Sequence, residues 1–489
     1  MGKKRVALVL SGGVSLGSYI AGALDELLRA LHAGGDYELD VIVGASAGAT
    51  TAAIIAHGLL YRGGTTALHQ TWVERVDMAE LLSDTPIPAG EPLTLLSSMV
   101  LRQMAEEATP ALPAEQCRAS PLCADELTLA LTITNLEGLS YVSRVRLHSA
   151  DSDELFIQQR FAEQERFRLR VGEPSAQVDW GRIREVALAS AALPTVFPPV
   201  PLRREAKNPD HYPRHTPEFS GAAEFLYCDG GVFNNVPIDL AVAYAEERDR
   251  DGLAERLYLI VDPSRDMVRA VPTASDPRAR PLYRNTALQI ARLLAATHAE
   301  SSAVQFENEM LAPALSVPRP APVAGGLQPE SLPGIRRPDV KVLEQFRVVL
   351  PTGARRLKGS YLSYALSAFL DRSFREYDFR RGAADARLLV VAGMGLAATP
   401  ERAEGPSFYD PDQDPLLGHA IDDYAQLALI ASSTQPGASV RAVFEAQLRR
   451  RIRVLVRRLA LPGPRIFDRL YVWIAERLLF SNLPQLWKQ

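Results

Sequence analysis

Gly44-Ala45-Ser46-Ala47-Gly48 directly follows the apolar run Asp40-Val41-Ile42-Val43 and directly precedes an alanine-rich stretch with helical character. A serine on so tight a strand-to-helix turn lifts its hydroxyl clear of the sheet, and the small neighbours Gly44 and Gly48 permit the close backbone approach that the turn needs. The start of the following helix adds positive potential where an oxyanion would form. The chemistry on offer is nucleophilic attack by Ser46. The plain alternative is an ordinary glycine-flanked turn.

A serine hydroxyl is a poor nucleophile without a base. Of the eight histidines, His57 and His69 read as helical, His211 and His215 lie in a Pro-rich loop and His298 sits mid-helix; none has a setting that marks it as the base. Asp229-Gly230-Gly231 follows the strand-like Phe225-Leu226-Tyr227-Cys228, so its carboxylate either emerges at a strand end with room beside it or makes a simple Asp-Gly turn. Gly12-Gly13-Val14 offers backbone N–H groups at the same sheet edge as Ser46, suited to an oxyanion hole or to a phosphate loop. Lacking both the Lys-Ser/Thr of a Walker loop and G-x-G-x-x-G spacing, it favours the first.

Elements must hold these residues in place. Residues 5–11 are a short apolar run consistent with a buried parallel strand; residues 16–31 then switch to helical spacing, with Leu16, Ile20, Leu24, Leu27 and Leu31 on one stripe. Residues 39–43 form a second strand and 47–60 a helix of small residues, a β-α-β-α order that specifies a mainly parallel sheet covered by helices. Residues 80–125, rich in Pro, Ser and Ala, read as an insertion or lid with one helix at 93–107. Strands are expected at 127–135, 141–147 and 257–261, and a helix at 183–192.

Five segments, in order, resemble the patatin-like phospholipase family: Leu10-Ser-Gly-Gly-Val-Ser-Leu-Gly-Ser-Tyr19, Gly44 to Gly48, Thr132-Ile-Thr-Asn-Leu-Glu-Gly138, Ala189-Ser-Ala-Ala-Leu-Pro-Thr-Val-Phe-Pro-Pro199 and Asp229-Gly-Gly-Val-Phe-Asn-Asn-Val-Pro-Ile238. The resemblance covers residues 5–265. It implies a three-layer α/β/α sandwich and a serine acyl hydrolase that uses a Ser-Asp dyad, with Ser46 as nucleophile, Asp229 as general base and the Gly12, Gly13 and Val14 amides as oxyanion hole. Phospholipid or lysophospholipid would be the substrate, through an acyl-serine intermediate, with no metal and no cofactor. Two departures stand out: many members carry a basic residue where Leu16 stands and a third glycine where Val14 stands. A Ser-His-Asp α/β-hydrolase and a non-catalytic lipid-binding scaffold of the same fold are the competing readings.

The apolar content of 47% with 23% charged residues is that of a globular protein and excludes disordered, collagen-like or coiled-coil chains. The 489 residues exceed one core. Composition changes near residue 270, giving an acyl-hydrolase domain at 1–270, a mainly helical region at 271–440 with helices at 286–310 and 361–374, and a tail at 441–489. The tail has 11 Lys+Arg against 3 Asp+Glu, so the net charge of −4 divides into +8 on the tail and −12 on the rest. In it Phe444, Leu448, Ile452, Val456 and Leu459 form one helical stripe among arginines, with Trp473 and Trp487 beyond. Such a basic amphipathic helix either lies on an anionic membrane or docks on the acidic body; the acidic remainder argues against nucleic acid. Three cysteines without a CxxC pair point to a reducing compartment, though Cys117 and Cys123 are near enough in sequence to bridge. With no run of about 18 apolar residues, the expectation is a cytoplasmic protein, peripheral on the membrane if the tail binds it.

Overall fold

The computed structural model describes residues 3–64, 66–82, 94–146, 153–194, 196–212, 217–249, 255–263, 345–352, 357–360, 365–397 and 424–459, with scattered positions between 293 and 308 and between 472 and 484. The helix expected at 286–310 falls mostly outside these residues. Strand β1 (Lys4–Leu10) leads through a short 3-10 turn, Val14–Leu16, into α1 (Gly17–Gly34); β2 (Tyr37–Gly44) leads into α2 (Ala47–Tyr61). There follow α3 (Met78–Leu81), α4 (Met99–Ala108), β3 (Cys123–Arg146), β4 (Asp153–Arg170), α5 (Trp180–Ser190), β5 (Val200–Glu205), β6 (Ala222–Asp229), α6 (Ile238–Arg248), β7 (Arg256–Val261) and β8 (Phe346–Val349). Helices α7 (Arg372–Leu388) and α8 (Val440–Leu459) complete the described elements.

The sheet is mixed and mostly parallel along β8-β7-β1-β2-β3, with β4 antiparallel to β3. Both faces are covered, which is why its strands read as unbroken apolar runs. Alternation sends Val6, Leu8, Leu10 and Ile42 into a core shared with α1, α2 and α5, and the register shift at Asp40 puts Leu39 there as well. It sends Ala7, Val9, Val41 and Val43 into a second core under α6. These two cores make the three layers of an α/β/α sandwich. Helix α2 is buried all round, so its small residues serve tight packing and not an amphipathic face.

Strand β3 is the ruler of the molecule. The two strands expected at 127–135 and 141–147 are one strand of 24 residues, interrupted by a bulge between Thr134 and Leu139. Along one edge β4 pairs with it almost throughout. Along the other, β2 pairs as far as Gly44↔Leu131, and two residues further on β6 takes over with Ile133↔Asp229. The end of β6 is thereby aimed at the end of β2.

The sheet extends past the boundary expected at residue 270, because β8 pairs in parallel with β7. Helix α7 packs on α1 at very close range: a Cβ on Gly382 would lie 2.0 Å from the Tyr19 carbonyl oxygen, and one on Gly22 would lie 1.8 Å from that of Phe379. Of the helix expected at 361–374, residues 361–364 lie outside the described residues, and the rest is a 3-10 turn, Ser367–Leu370, an extended Asp371 and the first residues of α7. The Asp371 carboxylate accepts from the Ser373 amide to cap α7, and also from the Ser433 amide and hydroxyl, so the cap breaks the helix and ties in a distant loop. In the expected insertion, Leu96, Leu101, Met104 and Ala108 are buried in the main core, and α4 packs against α5.

The tail stripe is docked. Phe444, Leu448, Ile452 and Val456 of α8 are buried in the main core, and buried Arg451 donates to the carbonyl oxygens of Thr94 and Leu95, each at 3.0 Å. Cys117, Cys123 and Cys228 are all free thiols, so the Cys117–Cys123 bridge is not formed. No helix among the described residues is long and apolar enough to cross a membrane.

Candidate active site

Ser46 sits between the last residue of β2 and the first turn of α2 with φ +52° and ψ −124°. A non-glycine residue there is strained, by about 1–3 kcal/mol. The strain is held by close backbone contact on both sides. A Cβ on Gly48 would lie 2.3 Å from the Leu10 carbonyl oxygen, and one on Gly44 would lie 2.6 Å from that of Gly48. The Ser46 amide donates to Ser190 Oγ at 2.9 Å, fixing the elbow to the end of α5.

The Ser46 hydroxyl donates to Asp229 Oδ2 at 2.6 Å. That short distance is typical of a hydroxyl bonded to a carboxylate. Asp229 is fully buried and held from three directions. Its Oδ1 accepts from the Gly231 amide at 2.7 Å, its carbonyl accepts from Thr134 Oγ1 at 2.8 Å, and its own amide donates to the Ala192 carbonyl at 3.0 Å. Gly230 starts a 3-10 turn so close to β3 that a Cβ would lie 2.2 Å from the Thr132 carbonyl oxygen.

Of the three amides expected to face an oxyanion, the one on Gly12 is already engaged, donating to the Asn235 carbonyl at 3.0 Å. That bond competes with any donation from Gly12 to an oxyanion. The Gly13 and Val14 amides have no acceptor among the described residues. Val14 has φ +51°, a conformation costly for a β-branched residue. Leu16, at the position where a basic residue was the comparison, is fully buried, and a Cβ on Gly359 would lie 2.5 Å from it. The Ala368 amide donates to Ser15 Oγ at 3.1 Å, so the segment before α7 braces this loop.

No described histidine contacts the pair. His57 Nε2 lies 2.8 Å from the Pro110 carbonyl, and burial lowers its pKa to about 4, with Arg62 and Arg184 adding to the effect. His69 pairs with Glu376 at 3.0 Å. His211 accepts from the Glu205 amide. Cys228, beside Asp229, is pushed up to about 12 by burial and by that carboxylate, which leaves it an inert thiol. No group of three or more His, Cys, Asp or Glu side chains placed to hold a metal ion occurs among the described residues.

Ser190, Thr134 and Asn235 were not singled out from the sequence as site residues. Ser190 lies within the Ala189 to Pro199 segment and Asn235 within the Asp229 to Ile238 segment. Their positions carried a signal, but their bonds to the Ser46 amide and the Gly12 amide did not.

The family model for patatin-like phospholipase matches residues 8–242. The uncharacterised protein y4iI of Sinorhizobium fredii (strain NBRC 101917 / NGR234) is 29% identical over 176 residues, covering 28% of this chain and 24% of that protein. The chain thus spans about a quarter of the length of the curated relative it matches. VipD from Legionella pneumophila, known from a crystal structure, is 15% identical, with 94% of this chain and 76% of that one covered and a TM-score of 0.27. With its mostly parallel sheet, its serine elbow and the model match, the chain carries over residues 8–242 a domain of the patatin-like phospholipase family.

Proposed function

We propose that the protein is a serine acyl hydrolase that cleaves carboxylic ester bonds of phospholipids or lysophospholipids through Ser46 and Asp229. The observation that carries this reading is the 2.6 Å hydrogen bond from Ser46 Oγ to Asp229 Oδ2 at a strained elbow. In the first half-reaction Asp229 takes the hydroxyl proton as Ser46 Oγ attacks the ester carbonyl. The Gly13 and Val14 amides and the start of α2 stabilise the negative charge on the former carbonyl oxygen. Collapse expels the alcohol, which receives the proton from Asp229 and leaves an acyl-serine. In the second half-reaction Asp229 deprotonates water, which attacks the acyl carbon and restores Ser46.

Direct contact between carboxylate and serine supports a dyad without a histidine relay, and the four described histidines, His32, His57, His69 and His211, make no contact with either residue. A fluorophosphonate probe tests the reading, because it reacts only with an activated serine. Labelling of the wild type, lost in Ser46→Ala, is the expected result. Equal labelling of the two proteins would overturn the assignment of Ser46, and no labelling of either across pH 5–9 would favour a non-catalytic scaffold.

A further inference from the structure

Past Leu131 strand β3 leaves β2 behind and continues beyond the sheet edge that carries Ser46. From Leu139 to Arg146 its only strand partner among the described residues is β4, Asp153 to Arg160. This is a two-stranded ribbon about 25 Å long at 3.3 Å per residue. Such a ribbon is marginal in water without a further surface to pack on.

One side of it has such a surface: Leu139 and Tyr141 cluster with Tyr212, Phe219 and Phe225. The other does not. Ile157 and Phe161 are four residues apart on β4 and so lie on the same side of that strand. Ile157 is 63% exposed. Phe161 is half-buried over Gly138, where φ is +70° and a Cβ would lie 2.7 Å from the ring. Its outer side meets Phe233, ring centroids 6.2 Å apart. Phe233 is 46% exposed and lies four residues after Asp229; Leu136, in the bulge, is 48% exposed. Exposed apolar side chains thus run from the turn that holds the candidate base out along the ribbon.

We propose that this side of the ribbon, with Ile157, Phe161 and Phe233, seats the protein on a zwitterionic phospholipid surface and brings the ester bond to Ser46. The proposal rests on the acyl-hydrolase reading for its purpose. Two observations select the occupant. The apolar surface is continuous with the candidate site, as a lipid-facing rim requires. The two strands of the ribbon, 139–146 and 153–160, carry three arginines against two acidic residues in sequence, so the ribbon is close to neutral and matches a zwitterionic interface better than an anionic one. The tail that composition offered for this role has its apolar stripe in the core.

Co-sedimentation with phosphatidylcholine vesicles tests it, using full-length protein in a Ser46→Ala background so that the vesicles stay intact. Ile157→Glu is expected to weaken binding about tenfold or more, the cost of losing one buried isoleucine. Ile157→Trp is expected to strengthen it, with a thermal midpoint like that of the wild type to show that the fold is kept. With Ser46 intact, Ile157→Glu should turn over a soluble short-chain ester as the wild type does. Wild-type binding by both variants, or binding that appears only when phosphatidylserine is added, would overturn the proposal. So would a change from dimer to monomer in Ile157→Glu with vesicle binding unaltered, since the ribbon would then be a contact between two copies. Should the soluble ester resist the wild type as well, the hydrolase reading fails while the vesicle result still decides the ribbon.

Discussion

Ser46 and Asp229 are 183 positions apart and meet at 2.6 Å because both are referenced to strand β3. Gly44, two residues before the serine, pairs with Leu131, and Asp229 pairs with Ile133. Two residues of extended chain span about 7 Å, the distance over which a serine and a carboxylate from opposed strand ends can close on one another.

Asp229→Asn should separate chemistry from scaffold. An asparagine keeps an oxygen for the Gly231 amide and presents its NH2 to Ser46 Oγ, so the turn survives while the base is lost. Ester hydrolysis should fall by roughly 10²–10⁴-fold, the usual worth of general-base catalysis, with a thermal midpoint close to that of the wild type. An unchanged kcat would remove Asp229 from the mechanism.

Val14→Gly should stabilise the protein. The left-handed backbone of Val14 costs about 1–3 kcal/mol for a non-glycine residue, against about 0.5–1 kcal/mol for the greater chain entropy of glycine. The expected gain is on the order of 1 kcal/mol, read from urea midpoints at constant m. A loss of stability would mean that the valine side chain contributes more packing than its backbone costs.

The parallel half of the sheet was legible because buried parallel strands are apolar on both faces, and 5–11, 39–43 and 257–261 could have been little else. The site was legible where turn chemistry is local: Gly44 to Gly48 and Asp229-Gly230-Gly231 each announce a strand end. What joins them was not, since the pairing of Asp229 with Ile133 depends on where β6 enters the sheet. Gly12 illustrates the same limit: its type suits an oxyanion loop, but the Asn235 carbonyl that accepts from its amide is over two hundred residues away. The tail was ambiguous for a physical reason, because an amphipathic stripe has the same pattern whether lipid or protein covers it.

Gly382→Ala probes whether α7 belongs to the same folding unit as α1. The added methyl would strike backbone, the Tyr19 carbonyl oxygen, which cannot rotate aside as a side chain can. Overpacking of this kind typically costs about 1–3 kcal/mol, and the whole cooperative transition should shift. Gly34→Ala in α1 is the control: its Cβ would find only ordinary contacts at 3.5 Å and beyond, so helix propensity should leave it neutral or slightly stabilised. A separate early transition in Gly382→Ala, with the main one unmoved, would place α7 in an independent unit.

Acid should weaken the fold through two histidines. Burial lowers His57 and His211 from 6.5 to about 4, and the Arg204 charge adds to the effect at His211. The unfolded chain takes up these protons near pH 6.5 and the folded one only near pH 4, so within that window the unfolded state binds more protons. Stability therefore falls as pH drops from 6.5 to 4, and these two groups take nothing further below it. His57→Gln cannot titrate but can still donate to the Pro110 carbonyl. Its loss of stability between pH 7 and 4.5 should be smaller than that of the wild type by on the order of 1–3 kcal/mol. Carboxylates contribute equally to both proteins and drop out of the difference; equal slopes would show that His57 takes up its proton over the same pH range in the folded chain as in the unfolded one.

The tail is best tested by point substitution. Removing it from residue 440 onward would uncover the main core where Val440, Phe444, Leu448, Ile452 and Val456 now fill it, and would strand the Thr94 and Leu95 carbonyls that Arg451 serves. Lost lipid binding in such a truncation could not be told from lost folding. Leu448→Ala removes one knob from the docked stripe and should cost about 2–5 kcal/mol. Arg453→Ala, on the exposed side of α8, should stay within about 0.5 kcal/mol. If instead Leu448→Ala left stability untouched and abolished binding to anionic vesicles, the stripe would leave the core on a membrane, and the basic tail would regain the role that its composition first offered.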